Sequence, residues 1–188
     1  MVIWFKKIKQ DLIKLILLPR QFWKEKKFEQ ISRGALFTGY FLPLLILTSL
    51  AVFSGELLSG SRMYVIFPLM KAVRKVVLIL LMYIISYITI RVLVDIIHRG
   101  CNQNEIHKLT IFSVIPFILV SVITGLFPFL YVINVLGLYS FYIFWTGITE
   151  LTDLTDKRYN KYIFAAASVL FVSFILLSIF LSKLLTLL

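Results

Sequence analysis

Five apolar stretches, each about as long as a bilayer is thick, constrain this chain more than any other feature. They cover residues 35–54, 76–97, 109–127, 129–149 and 162–182, which is more than half of the 188 residues. The hydrocarbon core of a bilayer is about 30 Å thick, and a helix needs about 20 residues to cross it. We therefore predict an all-α integral membrane protein with five transmembrane helices.

The composition supports the same class. Hydrophobic residues make up 60% of the chain and charged residues 15%, whereas soluble domains are about half apolar and a quarter charged. The polar sequence comes in pieces too short to build a second folded domain. We predict two parts: a basic amphipathic segment over residues 1–33 and a five-span membrane domain over residues 34–188.

The N-terminal segment has the periodicity of an amphipathic helix. Its apolar residues fall on one helical side, namely Trp4, Ile8, Leu12, Leu15 and Ile16. Its polar residues fall on the other side, namely Lys7, Gln10, Asp11 and Lys14. Basic helices of this kind tend to lie in the membrane interface. Pro19 is well placed to begin a second short helix, which we expect over Arg20–Ser32.

Two roles remain open for this segment: it either anchors and orients the first span or binds a dedicated partner. In both cases we expect anionic lipid headgroups to contact its basic side chains, because such groups attract basic segments beside a membrane. The expected headgroup contacts are Lys6, Lys7, Lys9, Lys14 and Arg20.

The distribution of charge predicts an orientation. Nine of the 20 Lys and Arg residues precede the first span. With the N-terminus in the cytoplasm, the cytoplasmic side holds 14 basic residues and the opposite side holds five. Cytoplasmic loops collect basic residues, so we expect the N-terminus inside and the C-terminus outside. We therefore attribute the net charge of +11 to orientation in the membrane and contact with lipid, and we expect no nucleic-acid partner.

The third and fourth apolar stretches follow each other without an intervening charge. A single helix of that length would reach about 60 Å, twice the thickness of the hydrocarbon core. Gly125 and Pro128 lie where a break is required, and proline interrupts a helix. The sequence therefore predicts a tight, uncharged helical hairpin at this point.

The second span carries the strongest polar signal inside the membrane. Tyr83, Tyr87, Arg91 and Asp95 recur every four residues and so share one helix face. Ionisable groups at membrane depth usually face the bundle interior or a wet cavity. Arg91 and Asp95 either pair structurally near the helix end or form part of a site. We include Asn134 of the fourth span as a further candidate, with interhelical hydrogen bonding as its alternative role.

The sequence favours no catalytic or cofactor chemistry. Neither a zinc-protease H-E-x-x-H motif nor a G-x-S-x-G nucleophile motif is present. His98, Cys101 and His107 have side chains that can bind metal, but their spacing matches no common zinc pattern. We therefore expect no enzyme activity, no cofactor and no metal site. Cys101 is the only cysteine, so an intrachain disulfide is excluded.

Several short motifs, in this order and spacing, resemble a known family of membrane proteins. They begin with Leu18-Pro19-Arg20-Gln21-Phe22-Trp23, then Tyr40 and Pro43 in the first span and Gly100 in the following loop. They continue with Pro116, Leu138-Tyr139 and Gly147-Ile148-Thr149-Glu150-Leu151, leading through Leu154 to Lys157. Together these resemble the bacterial branch of the Yip family, whose eukaryotic members are named for interaction with Ypt/Rab GTPases.

The resemblance implies a five-span fold with a cytoplasmic N-terminus and no settled biochemical activity. Because the segment before the first span is short, we expect a bacterial inner-membrane protein; a eukaryotic chain would belong in the Golgi or endoplasmic reticulum. The main hypothesis is a non-enzymatic membrane-organising or trafficking-type scaffold that acts through helix and lipid contacts. Such a scaffold could bind another membrane protein or form a homo-oligomer. The alternative is a small transporter or channel with a polar pathway along the second span.

Overall fold

Helices make up every element of the described residues in this computed structural model. Those residues are 2–59, 65–97, 102–152 and 159–186, and their side chains are described from Lys7 to Lys183. Two N-terminal helices, α1 (Val2–Leu17) and α2 (Pro19–Phe28), come first. Within the described ranges, five helical segments after them are long and apolar enough to cross a membrane. The predicted fold class is confirmed.

The first three spans are mostly regular helices. The first consists of α3 (Arg33–Leu36), a π-helical turn (Phe37–Phe41) and α4 (Leu42–Ser59). The second is α5 (Ile66–Ile97) and the third is α6 (Gln103–Leu126).

The last two spans complete the bundle. The fourth span begins as a 3-10 helix (Pro128–Leu138) and continues as α7 (Tyr139–Leu151). The fifth is α8 (Asn160–Thr186).

The α6 helix lies at the centre of the bundle. It packs against α4, α5 and α7, whereas α8 packs chiefly against α5 at the edge. From Ile106 to Pro116, only His107 on α6 remains partly exposed. Helices that are apolar on all sides are buried, and α6 has this composition. The central helix therefore presents side chains to all of its neighbours at once.

The bundle has two ends, which we call the near end and the far end. At the near end Arg33 Nε donates a hydrogen bond to Asn104 Oδ1 at 3.0 Å, joining the starts of the first and third spans. At the far end α4 and α6 approach so closely that a Cβ atom on Gly55 would overlap the backbone oxygen of Gly125. Small residues permit such close packing of helices in membranes.

The predicted break between the third and fourth spans lies where the structure ends α6. Phe127 leaves the helical region (φ −121°, ψ 82°), and Pro128 begins the 3-10 helix. Gly125 has a second role that the sequence did not indicate, because its lack of a side chain also leaves room for Val52 on α4. The same glycine therefore serves both the helix end and the α4–α6 contact.

Two helices extend beyond the apolar stretches that predicted them. The α5 helix begins at Ile66 rather than at residue 76, and α6 begins at Gln103 rather than at residue 109. The backbone hydrogen bonds of a helix continue into polar sequence outside the hydrocarbon, so hydropathy alone misplaces these ends. For α6, the Asn102 side chain accepts a hydrogen bond from the Asn104 backbone and caps the helix.

The predicted second N-terminal helix is shorter than expected. It starts at Pro19 as predicted but ends at Phe28, because Glu29 has an extended backbone (φ −82°, ψ 115°). The chain then turns into the first span, where the Ser32 side chain accepts a hydrogen bond from the backbone of Ala35. This short connection keeps α2 close to the near end of the bundle.

Candidate functional site

The two N-terminal helices form an antiparallel hairpin held by a row of ion pairs. Pro19 separates the helices, and a proline suits the first turn of α2. Lys14 Nζ lies 2.7 Å from Glu25 Oε2, near the turn of the hairpin. Lys7 Nζ lies 2.6 Å from Glu29 Oε1, near its open end. We call this hairpin, residues 2–28, the N-terminal platform.

Beside these exposed pairs lies a polar group of five residues, Asp11, Lys26, Glu29, Tyr40 and Lys108, which we call the N-terminal cluster; all are buried except Glu29, which is half-buried. The Lys26 side chain is 3% exposed, and its Nζ lies 2.8 Å from Asp11 Oδ2 and 2.5 Å from Glu29 Oε2. The Tyr40 hydroxyl donates a second hydrogen bond to the same Asp11 oxygen. Buried charges need such partners.

Lys108, on α6, completes the N-terminal cluster from the membrane domain. Its buried ammonium donates to the backbone oxygens of Lys26 at 2.7 Å and Glu29 at 2.8 Å. These carbonyl groups lie at or just beyond the end of α2, where helices leave oxygens unsatisfied and favour cations. Lys108 therefore closes α2 and ties it to the third span.

The Glu29 carboxylate follows directly after the platform and pairs with two of its lysines, Lys7 and Lys26. Partial burial raises the pKa of the Glu29 carboxyl, but hydrogen bonds from Lys26 and Lys7 outweigh burial and bring that pKa below its usual range. The carboxylate form is therefore the stable one at neutral pH.

Aromatic side chains dock α2 onto the bundle beside this cluster. Trp23 is fully buried, and its indole N–H donates to the backbone oxygen of Ile143 at 3.2 Å. Phe22 meets Phe112 of α6 edge to face, with ring centroids 4.9 Å apart. Gly147 makes room for the indole, since a Cβ atom there would lie 2.7 Å from the Trp23 ring. The platform is therefore packed into the protein rather than merely tethered to it.

Docking changes the role of the amphipathic face of α1. Leu15 is fully buried, and Ile8 and Leu12 pack against the protein core instead of facing lipid. Asp11, which periodicity places on the polar side, is turned into the N-terminal cluster and is only 8% exposed. The hairpin brings Lys26 to Asp11, so the carboxylate can be buried with its counter-charge.

The basic residues expected to contact lipid headgroups differ in whether their side chains already have an ion-pair partner. Lys9 and Arg20 are exposed. Lys7 and Lys14 are engaged in the ion pairs with Glu29 and Glu25. The side chain of Lys6 lies outside the described residues. Among the described members of the set, Lys9 and Arg20 have side chains available for headgroups.

The tyrosines predicted on the second span meet a histidine from the third. The Tyr83 hydroxyl lies 3.0 Å from His107 Nδ1. The Tyr87 ring stacks on the His107 ring, with centroids 4.4 Å apart and 20° between the planes. The sequence singled out His107 only as a weak metal ligand, and nothing in its spacing indicated the contact with α5.

The other predicted polar residues do not join this group. Arg91 and Asp95 are both exposed, and no ion pair links them within the described residues 65–97. Asn134 lies towards the far end, where it accepts from Thr124 at 3.2 Å and donates to the Tyr131 carbonyl at 2.8 Å. It also borders a mostly apolar cavity of about 80 Å³ between the second, third, fourth and fifth spans. The five candidates are thus distributed over three places.

No group of three potential metal ligands occurs among the described residues. His98 and Cys101 of the predicted metal-capable set lie outside that part of the chain, as do Gly100, Leu154 and Lys157 of the family motifs.

These features define a polytopic helical membrane protein whose N-terminal helical pair is docked onto its bundle. A family model described as the Yip1 domain matches residues 13–180. The chain belongs to the Yip1-domain family, which confirms the resemblance of the motifs to the Yip family. The match begins within α1, includes α2 and the first four spans, and ends within α8. Neither a curated protein nor a solved structure gives a significant match.

Proposed function

We propose that this protein is a non-enzymatic membrane-organising scaffold that acts on lipid through its N-terminal platform. The observation that carries the proposal is the buried attachment of the platform to the bundle, through hydrogen bonds from Lys108 to the Lys26 carbonyl and from Tyr40 to Asp11. A helix that is only tethered samples many positions, whereas one held by packed side chains keeps a fixed depth and angle relative to the spans. A fixed amphipathic element at the interface can displace headgroups reproducibly.

The free side of the platform suits an anionic bilayer surface. Ile13, Leu17 and Leu18 are 46%, 70% and 54% exposed. Lys9 and Arg20 are exposed on the same helical pair. Apolar residues beside cations favour the boundary between headgroups and acyl chains, where both kinds of side chain find partners. Lys7 and Lys14 contribute less, because each already has a carboxylate partner.

The proposed setting is the bacterial inner membrane, with the N-terminus in the cytoplasm and the C-terminus outside. The excess of basic residues around the N-terminal segment supports this orientation. The platform would then meet the anionic cytoplasmic leaflet. A second copy of the chain, or another membrane protein, could pack on the exposed apolar sides of the spans. The platform would then set the local lipid environment.

The test is reconstitution of the full chain into vesicles of phosphatidylcholine and phosphatidylglycerol. We expect the protein to narrow the distribution of vesicle diameters in a manner that depends on protein density. Replacing Leu17 and Leu18 by Ser, or Lys9 and Arg20 by Gln, should weaken this effect and leave the helical content unchanged. If both variants gave the same vesicle diameters as the native protein, the platform model would be contradicted. Lys161→Gln is a suitable control, since Lys161 is an exposed cation of the fifth span.

The alternative is a transporter whose polar pathway follows the second span. It is favoured by the contact of His107 with Tyr83 and Tyr87, which places a titratable ring beside the predicted polar face. In the same vesicles, the transporter model predicts an ion or solute flux that is lost when Arg91 and Asp95 are both replaced by Leu. A scaffold should keep its effect on vesicle size in that variant.

A further inference from the structure

Lys75 has a different environment from the other lysines that are withdrawn from solvent. Lys26 and Lys108 each reach oxygen atoms, and Lys71 pairs with Glu56 at 2.8 Å. The partly buried Lys75 ammonium instead lies 5.2 Å from the centroid of the Phe117 ring on α6. Within the described residues no carboxylate or hydrogen-bond acceptor contacts it. A desolvated cation of this kind still needs an anion.

The position of Lys75 along α5 sets how far this residue lies from the far end of the bundle. It lies nine residues from the far end of α5, at Ile66, and Phe117 lies nine residues from the far end of α6, at Leu126. At 1.5 Å per residue, each position is about 13 Å from its helix end. A lysine that snorkels directs its ammonium towards the interface. Here the ammonium lies beside Phe117 on α6, a residue as far from the end of its helix as Lys75 is from the end of α5.

At this depth Lys75 lies close enough to the far leaflet to reach a lipid headgroup. The α5 helix has 32 residues and is therefore about 48 Å long, or about 18 Å longer than the hydrocarbon core. If the helix is centred in the bilayer, about 9 Å projects at each end. Lys75 then lies just inside the hydrocarbon on the far side, within reach of a phosphate group in that leaflet.

The neighbouring charges leave an anion site open at this point. Arg74 is adjacent and partly buried, and no ion pair engages it within the described residues. Glu56 is the one acid at the far end in the described part of the chain, and Lys71 neutralises it. Two cations therefore lack an anion, while exposed Val77, about one turn from Arg74 on the same helix, offers apolar surface.

We propose that Arg74 and Lys75 bind the phosphate of an anionic phospholipid in the far leaflet, with its acyl chains along α5. Arginine can hold two phosphate oxygens at once, and lysine adds a compact charge. This site is independent of the N-terminal platform, which lies at the opposite end of the bundle. It could exist whether or not the platform shapes membranes.

The test is titration of the purified full-length protein with phosphatidylglycerol, followed by native mass spectrometry. Phosphatidylcholine serves as the comparison lipid and inorganic phosphate as a competitor. We expect Lys75→Met to weaken the tightest phosphatidylglycerol binding about fivefold, and Arg74→Gln to weaken it by a similar factor. Lys71→Met is the matched control at the same end. It should leave that binding nearly unchanged, since Lys71 already pairs with Glu56.

Three results would overturn the proposal. Equal weakening by Lys71→Met would indicate unspecific attraction to a basic surface. Unchanged binding in both Arg74→Gln and Lys75→Met would show that the cations are satisfied within the protein. Competition by inorganic phosphate at concentrations similar to the lipid would indicate a small-anion site. If Lys75→Met does not fold, Arg74→Gln and Lys75→Arg provide the test instead. Lys75→Arg should retain the affinity for phosphatidylglycerol, because it keeps the positive charge.

Discussion

Lys26 is the residue on which the N-terminal cluster depends most. Its ammonium neutralises the buried Asp11 carboxylate and also contacts Glu29. Removing one partner of a buried ion pair leaves the other charge without compensation, which costs more than the pair contributes as a whole. The loss of stability on replacing Lys26 therefore depends on the Asp11 carboxylate, which stays buried without its counter-charge.

We predict that Lys26→Met destabilises the protein by about 3–5 kcal/mol. Thermal unfolding of the detergent-solubilised protein, followed by tryptophan fluorescence, measures the change. The matched control is Lys14→Met, which breaks the exposed pair with Glu25 and should cost at most about 1 kcal/mol. The additional substitution Asp11→Leu should recover part of the loss, because it removes the stranded carboxylate. Equal losses in Lys26→Met and Lys14→Met would contradict the buried role.

Gly147 provides a second test at the residue scale. A Cβ atom there would lie 2.5 Å from Leu109 Cδ1 and 2.7 Å from the Trp23 ring. Gly147→Ala should therefore destabilise the protein by about 1–3 kcal/mol through overpacking. Gly34→Ala is the control, since nothing lies within 4 Å of its Cβ position and alanine favours helix. A neutral Gly147→Ala variant would show that Trp23 does not pack there.

At the scale of elements, the α1–α2 hairpin combines exposed and buried ion pairs. The hydrogen bond from Lys14 lowers the pKa of the Glu25 carboxyl. Burial raises the pKa of Glu29, but hydrogen bonds from Lys26 and Lys7 more than offset it, so that pKa is lowered as well. A carboxyl group with a lowered folded-state pKa stabilises the fold above its unfolded-state value and loses this contribution as the pH falls through the folded-state value.

We therefore predict that the platform loosens on acidification, below the unfolded-state glutamate pKa of about 4.3. Hydrogen exchange of the α2 amides between pH 7 and pH 3, corrected for the intrinsic rate, measures the effect. Protection should fall more in the native protein than in Glu29→Gln, whose side chain does not titrate. An equal fall in both would exclude Glu29 as the group responsible. The α6 amides serve as an internal control, because they lie at the centre of the bundle.

At the scale of the whole molecule, orientation is the property that connects the platform with a leaflet. Cys101 is the only cysteine and belongs to the loop between the second and third spans. With the N-terminus inside, this loop faces the cytoplasm. We predict that a membrane-impermeant thiol reagent leaves intact cells unlabelled and labels inverted vesicles. Labelling of Cys101 in intact cells would reverse the orientation and assign the platform to the outer leaflet.

The fold class and the number of spans could be predicted mainly from the hydrophobicity of each segment. An apolar run about 20 residues long has few alternatives to a membrane helix, because lipid offers no partners for open backbone groups. The fold class and the five spans followed from such apolar runs. The helix ends did not, as α5 shows by continuing through Lys71, Arg74 and Lys75 to Ile66.

The polar sites depended on contacts between distant parts of the chain. Periodicity placed Tyr83 and Tyr87 on one face, yet their partner His107 comes from another span. Periodicity likewise assigned Asp11 to the polar side of α1. Its burial depends on Lys26 and Tyr40, which come from two other elements. No pattern within one helix could indicate that these groups meet.

By itself, the sequence determined that this chain spans a membrane five times, because burial in lipid depends on the composition of each segment alone. The tertiary structure decided how the N-terminal platform is attached and which cations find partners. Those outcomes depend on distances between side chains from different helices. They include the pairing of Lys26 inside the N-terminal cluster and the position of Lys75 over Phe117. A charge is satisfied or left open only when the whole bundle has assembled.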